Sequence, residues 1–196
     1  IILTIIVVFI FIAILAVLVI WFVSAQGLPE FHIQGNRGAR AIMPENSIEG
    51  FKKAIDLGIH TLEMDTAISA DKQVIVSHDP FMHYQLCYGP KNTNITSLEE
   101  GKTNYNLYKM NATLIRTFDC GSKPNAEFPR QTKIVTYKPL LTEVIDAVEA
   151  EVVRNNLKAI FYNIEIRSNV ETDDLFHPKP AEYAQLLYNV ISAKKI

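Results

Sequence analysis

TLEMDTAISADKQVIVSHD, residues 61–79, places two carboxylates, a chain reversal and a histidine within one short stretch. Glu63 and Asp65 stand two apart in a strand-like run, so their side chains leave one face while Leu62 and Met64 leave the other. The β-branched run Val74-Ile75-Val76 forms a second strand, and the polar link between them is too short for a parallel crossover, so the two form a hairpin. With Asp71 and Lys72 as the turn, Asp65 pairs with His78, at roughly 5 Å between Cβ atoms, and Glu63 shares their surface. Asp-Lys is not a favoured two-residue turn, which leaves a one-residue slip open. Carboxylates beside a histidine suit metal-assisted attack on a phosphate ester; taken alone, E-x-D is more often a solvated strand face than a metal site.

Upstream, residues 31–34 alternate as a first strand would, and GNRGARAIMPENSIEGFKKAIDLG follows at residues 35–58. Gly35 and Gly38 permit a tight turn or close approach of a ligand, and Arg37 between them offers a planar fork for a phosphate. Pro44 delays the helix, Asn46 or Ser47 can cap it, Ile48, Phe51 and Ile55 give it a buried face, and Gly58 ends it. Strand, glycine turn, capped helix and strand make the start of a β/α unit.

These motifs together resemble the glycerophosphodiester phosphodiesterase family. N-R-G at 36–38, P-E-N at 44–46, E-M-D at 63–65 and H-D at 78–79 match that family's order and spacing. The resemblance implies an α/β fold, the N-terminal part of a (β/α)8 TIM-type barrel, with catalytic groups at the C-terminal ends of the strands. It also implies hydrolysis of a small-molecule glycerophosphodiester to an alcohol and sn-glycerol 3-phosphate, assisted by one divalent cation. The implied ligands are Glu63, Asp65 and Glu165, and an all-carboxylate set favours Mg²⁺ or Ca²⁺ over Zn²⁺. Arg37 and Arg167 are the implied phosphate contacts, with Arg167 standing where the family's E-x-K motif has lysine; Glu45 lies near the site without an assigned role. His78 matches one of the family's two catalytic histidines. Asn36 stands where the other is expected, and an amide cannot carry a proton at neutral pH. Three readings follow: a phosphodiesterase with His78 as general acid/base, a catalytically impaired phosphodiester-binding relative, or a phospholipase D-like enzyme acting on membrane lipids.

Residues 80 to about 130 are interrupted by Pro90, Gly101, Gly121, Pro124 and Pro129 and read as a small insertion beside the site. A helix is expected from Pro139 onward, with Thr142 as a possible cap. Residues 158–167 then read as a strand ending in Glu165 and Arg167, and a last helix runs from Pro180 to Ile191. That count gives three barrel strands where a full barrel needs about 250 residues. The domain at residues 26–196 is therefore expected to be truncated at its C-terminus, and neither active nor stable by itself.

The chain has 196 residues, 48% hydrophobic and 20% charged, with net charge −2 and no basic cluster, which argues against disorder and against a nucleic-acid partner. Residues 1–23 carry no charge and no polar face, and are long enough as a helix to cross a bilayer core of roughly 30 Å. Residues 1–25 are therefore either a membrane anchor or a signal peptide cut before Gln26, followed by a linker at 26–30. Both place the rest outside the cytoplasm, membrane-anchored or in the cell envelope. The chain starts without Met, as a piece of a longer sequence would. Export permits a Cys87–Cys120 disulfide, with two unpaired thiols as the alternative. The N-x-T triplets at Asn94 and Asn111 are read as coincidence, the chain being taken as bacterial. His32, His60, His83 and His177 are read as surface or structural, with His83 close enough to substitute for the absent base.

Overall fold

A computed structural model of the protein describes residues 2–25 and 31–196. They fall into two units, Ile1–Phe31 and His32–Ile196. The first holds α1 (Ile2–Ala25), whose described large side chains between Ile6 and Trp21 are exposed and apolar. Among the described residues no helix is long and apolar enough to cross a membrane, so the membrane-spanning expectation for residues 1–23 gains no support. The expected linker at residues 26–30 lies outside the described residues.

The second unit begins with β1 (Gln34–Gly35), shorter and later than the strand expected from residue 31. The Ile33 carbonyl instead accepts the backbone N–H groups of His60 and Thr61, which steers the chain into the sheet. The helix α2 (Ile48–Asp56) is capped by Ser47, whose hydroxyl accepts the Gly50 N–H at 3.0 Å. The chain then enters β2 (Thr61–Ile68), parallel to β1, and reverses into β3 (Val74–Val76). Far downstream β6 (Phe161–Ile166) pairs parallel with β2 over its first six residues, Asp65 opposite Glu165. This strand is shorter than the expected 158–167 span and leaves Arg167 just beyond its end.

The hairpin register differs from the expected one by a residue. Thr66 pairs with Val76, so Asp65 stands opposite Ser77 rather than His78. The cause is the turn: Ser69 and Gln73 close a three-residue connection in which Lys72 takes the left-handed conformation, φ 59°. An odd-numbered loop ending in that conformation is the usual alternative to a two-residue turn. Because the side-chain period is two, the slip moves His78 off the Asp65 ladder and into the segment beyond it.

Between β3 and the next long helix lies the insertion. It comprises a two-residue ribbon, β4 (Tyr88–Gly89) with β5 (Thr93–Asn94), and the short helices α3 (Leu98–Asn104) and α4 (Ala112–Ile115). It packs on its own apolar cluster, including Met82, Cys87, Ile95, Leu107, Ile115 and Phe118, and Cys87 is bonded to Cys120. α5 (Leu141–Arg154) follows. Its cap is not Thr142: Leu140 holds the cap position and its N–H is taken by the Glu143 carboxylate at 2.9 Å. α6 (Pro180–Lys194) closes the unit.

One face of β2 makes the main core. Leu62, Met64 and Ile68 pack with Val74 and Val76 against Phe51 and Ile55 of α2, Val144 and Ile145 of α5, and Tyr183 of α6. The opposite face carries Glu63 and Asp65, also buried, at 6% and 1% exposure. Helices therefore cover the apolar side of the sheet whose other side carries these carboxylates, and β1, β2, β3 and β6 make up that four-stranded sheet. The disulfide spans a sequence separation of 33 residues. Replacing both cysteines with alanine should lower stability by roughly 3–4 kcal/mol through loop-closure entropy alone, measurable by urea denaturation of the oxidised parent beside the variant.

Candidate metal and phosphate site

The residues after β1 turn sharply, with Arg37 at φ 51° and Gly38 at φ 79°, and the Gly38 N–H donates to the Gly35 carbonyl at 3.2 Å. A Cβ on Gly38 would come within 2.9 Å of the Gly50 backbone, so the N-R-G turn requires glycine there for both space and conformation. The turn directs two donors at one oxygen. Asn36 Nδ2 donates to Glu63 Oε2 at 2.9 Å, and the Arg37 backbone N–H donates to the same atom at 2.7 Å.

Two residues along β2, Asp65 is held from several sides. Asn46 Nδ2 donates to Asp65 Oδ2 at 2.9 Å, and Arg37 Nε stands 3.2 Å from that oxygen. Arg167 Nη1 lies 3.6 Å from Asp65 Oδ1 and equally far from Glu165 Oε1. The Arg37 guanidinium is shared, because its Nη1 also donates to both oxygens of Glu45, at 3.0 and 3.2 Å.

Parallel pairing of β2 with β6 puts Asp65 beside Glu165, and the E-x-D period adds Glu63 on the same face. One carboxylate oxygen from each of Glu63, Asp65 and Glu165 lies within 4.8 Å of the others. Burial is the main cause that raises the Glu63 pKa above its ordinary value; the Asp65 and Glu165 charges add to it, against the Arg37 N–H that lowers it. Three hard oxygen donors repelling one another at this range suit a divalent cation of the Mg²⁺ or Ca²⁺ type. Glu63 Oε2 is already committed to Asn36 and Arg37, which leaves Oε1 for an ion.

His78 is the second residue after β3. Its Nδ1 lies 3.1 Å from Asp79 Oδ1; an ionised carboxylate only accepts, so Nδ1–H donates to it and Nε2 is left as the unprotonated nitrogen. Burial pushes the Asp79 pKa up, but the His78 hydrogen bond and the Lys138 charge outweigh it and hold the carboxyl below its ordinary value. His78, Asp79, Arg37 and Glu45 line one cleft of about 610 Å³ together with His83 and Lys123 of the insertion. The three clustered carboxylates do not line that cleft; Arg37 connects the two regions through Glu45 and Asp65.

The family model of the glycerophosphoryl diester phosphodiesterases matches residues 37–177. The chain belongs to this family. Human Lysophospholipase D GDPD1 is 31% identical over 112 residues, covering 57% of this chain and 31% of that protein. Mouse Glycerophosphodiester phosphodiesterase domain-containing protein 4 is 30% identical over 93 residues, covering 47% of this chain and 14% of its own. The chain thus spans less than a third of the curated relatives it matches. Among solved structures, a Silicibacter pomeroyi protein assigned to the glycerophosphoryl diester phosphodiesterases superposes with TM-score 0.72 at 24% identity, covering 86% of this chain and 56% of its own. An Oleispira antarctica phosphodiesterase holding the product sn-glycerol-3-phosphate gives TM-score 0.57 at 17% identity, covering 83% and 52%. These likenesses establish a parallel α/β fold of the kind that family adopts.

Two residues, one inside the family motifs and one outside them, do more than the sequence assigns. Asn46, read as a cap, is buried at φ 52° and donates its amide to Asp65. Its signal was present in P-E-N: an asparagine tolerates the left-handed conformation, and a buried one needs a partner. Lys138 belongs to no motif; its ammonium donates to Ser77 Oγ at 2.8 Å, next to His78 in the chain. His60, His83 and His177 each accept a backbone N–H within their own segment or from a neighbouring one, of Ile33, Gln85 and Asn169 respectively. For His60 and His177 that is a structural part; His83 additionally reaches the cleft.

The raised Glu63 pKa sets a stability consequence. A carboxyl whose folded pKa exceeds the unfolded one binds more protons when folded, so its contribution is greatest below the unfolded value of 4.5 and is lost as pH rises through the folded value. In EDTA at neutral pH, Glu63→Gln should therefore melt higher than the parent, and saturating Mg²⁺ or Ca²⁺ should raise the melting temperature of the parent only. Thermal denaturation of both proteins with and without the ion checks the reversal.

Proposed function

We propose that the protein is a glycerophosphodiester phosphodiesterase, hydrolysing its substrate to an alcohol and sn-glycerol 3-phosphate. The observation that carries this reading is the convergence of Glu63, Asp65 and Glu165 from adjacent parallel strands beside Arg37, in a chain of this family. Glu63, Asp65 and Glu165 would hold one divalent cation, Mg²⁺ or Ca²⁺. When bound, that ion supplies positive charge that neutralises phosphate oxygens and favours attack at phosphorus. The product seen in the Oleispira antarctica phosphodiesterase supports the substrate class.

The chain's own residues divide the remaining work. Arg37 and Arg167 direct guanidinium donors at the phosphate, where charge-assisted and bidentate bonds are strongest. Arg167 in place of a lysine keeps the charge and changes its shape. His78 moves the proton at Nε2 while Asp79 fixes the ring through Nδ1. Asn36 moves no proton; its amide is committed to Glu63. In-line displacement sets entering and leaving oxygens on opposite sides of phosphorus, and one imidazole cannot touch both. Turnover by this chain is correspondingly slow.

Asn36 favours one further reading, a catalytically impaired relative that keeps the metal site and the arginines and binds phosphodiesters. The name of the human relative favours another, a lysophospholipase D acting on a membrane lipid. The Cys87–Cys120 bond supports an exported protein in an oxidising compartment, whether anchored or released.

Against the inactivity expected from the count of three barrel strands, the acidic cluster and the His78 cleft are both formed within this chain, so the full chain assayed with glycerophosphocholine and Mg²⁺ or Ca²⁺ should turn over slowly, stop in EDTA, and lose activity in His78→Ala. Asn36→His should raise kcat about 100-fold, the usual value of a restored acid–base group. Turnover of lysophosphatidylcholine alone would move the assignment to the lipid substrate, and metal binding without turnover in the parent would make it the impaired relative.

A further inference from the structure

The sequence before α5 runs antiparallel to β3. Ile75 bridges Leu140, and the Val76 N–H donates to the Pro139 carbonyl at 2.8 Å. The same register sets Lys138 opposite Ser77, one residue before His78. Lys138 Nζ donates to Ser77 Oγ at 2.8 Å, and Ser77 Oγ donates to the Asp79 carbonyl at 2.6 Å. The direction of this chain is fixed by proton accounting. An ammonium only donates, so the single serine proton goes to the carbonyl, and both bonds are made at once. Ser77 is fully buried, and its own N–H is spent on the Asp65 carbonyl at 2.9 Å.

Lys138 is also where the site's charges meet. Burial lowers the pKa of its ammonium, and Asp79, Glu45 and Asp65 oppose that in decreasing order, with Arg37 repelling it. Among the described residues Ser77 is the side chain that hydrogen-bonds this half-buried ammonium, a costly arrangement for a residue that only fills space.

We propose that Lys138 is a positioning residue of this site: through the Ser77 hydroxyl, which donates to the Asp79 carbonyl, it clamps the Ser77-His78-Asp79 turn and so holds in place the Asp79 carboxylate that orients the His78 ring. The lysine does not line the cleft and touches no substrate; it acts through Asp79 on which nitrogen of His78 carries the proton. The inference rests on the phosphodiesterase reading for its effect on rate, but its structural content is readable without turnover.

The test uses the full chain labelled with ¹⁵N-histidine, at about pH 8, above the ordinary imidazole value near 6.5. Long-range ¹H–¹⁵N correlation reads the tautomer of each ring, with His78 assigned from a His78→Ala sample. The parent should show His78 protonated at Nδ1. Lys138→Met should shift it toward a mixture with Nε2–H, Ser77→Ala should do the same while leaving the lysine in place, and Lys138→Arg should restore the parent signature. On glycerophosphocholine, Lys138→Met should lower kcat about 10- to 100-fold, the scale of a mispositioned catalytic group, with KM and metal affinity changed less than twofold. A His78 tautomer unchanged in folded Lys138→Met and Ser77→Ala overturns the proposal. So does a rate loss matched by lost metal binding. If Lys138→Met does not fold, Ser77→Ala and Lys138→Arg decide. An inactive parent with the expected tautomer changes would overturn the phosphodiesterase reading and leave the positioning role standing.

Discussion

Mutual repulsion among Glu63, Asp65 and Glu165 is the constraint that the rest of this site answers. Parallel pairing of β2 and β6 sets Asp65 directly beside Glu165, and the two-residue period adds Glu63 on the same buried face. Each carboxylate is then met by donors from a different part of the chain. The N-R-G turn reaches Glu63, Asn46 and the Arg37 guanidinium reach Asp65, and Arg167 stands between Asp65 and Glu165. Without those contacts the acidic face of β2 could not be buried opposite an apolar one, since unpaired carboxylates do not leave water. The motifs thus form one electrostatic solution, which explains why four short motifs spread over residues 36–79 occur together.

That solution divides the molecule by function as well as by packing. The apolar side of β2 is covered by α2, α5 and α6, and none of those helices contributes a carboxylate to the cluster. The insertion contributes differently: held by its own apolar cluster and by the Cys87–Cys120 bond, it supplies His83 and Lys123 to the cleft that His78 shares with Arg37. That apolar cluster includes Ala67 of β2 and Ile75 of β3, so the insertion is fixed to the same strands that carry the acidic residues while its outer side chains shape the cleft.

What could be read from the amino-acid order follows from how local each feature is. The β/α start, the Ser47 cap, the shared face of Glu63 and Asp65 and the later Glu165 strand all rest on short-range periodicity, and each is present. The register of the hairpin was not legible, because Ser69 and Gln73 close the turn through backbone bonds and a left-handed Lys72 that no residue preference signals. Strand ends also shifted, at Gln34 and at Phe161, where pairing partners distant in sequence set the limits. Lys138 lay beyond reach for the same reason: its partner, Ser77, is 61 residues away.

Asn36 has a consistent physical place in this arrangement. As an amide it is a neutral donor to Glu63, so it eases the repulsion within the cluster without adding charge. Glu45, Glu63, Asp65, Asp79 and Glu165 face Arg37, Lys138 and Arg167, an excess of two negative charges that a single divalent cation would balance. A protonated histidine at position 36 would reduce that excess, and a neutral one could donate to Glu63 from only one of its nitrogens. Asn36 therefore leaves the charge of the cluster unchanged at every pH while carrying no proton itself. In the proposed reaction His78, its ring fixed by Asp79 and its turn held through Ser77, would be the group on which proton transfer depends.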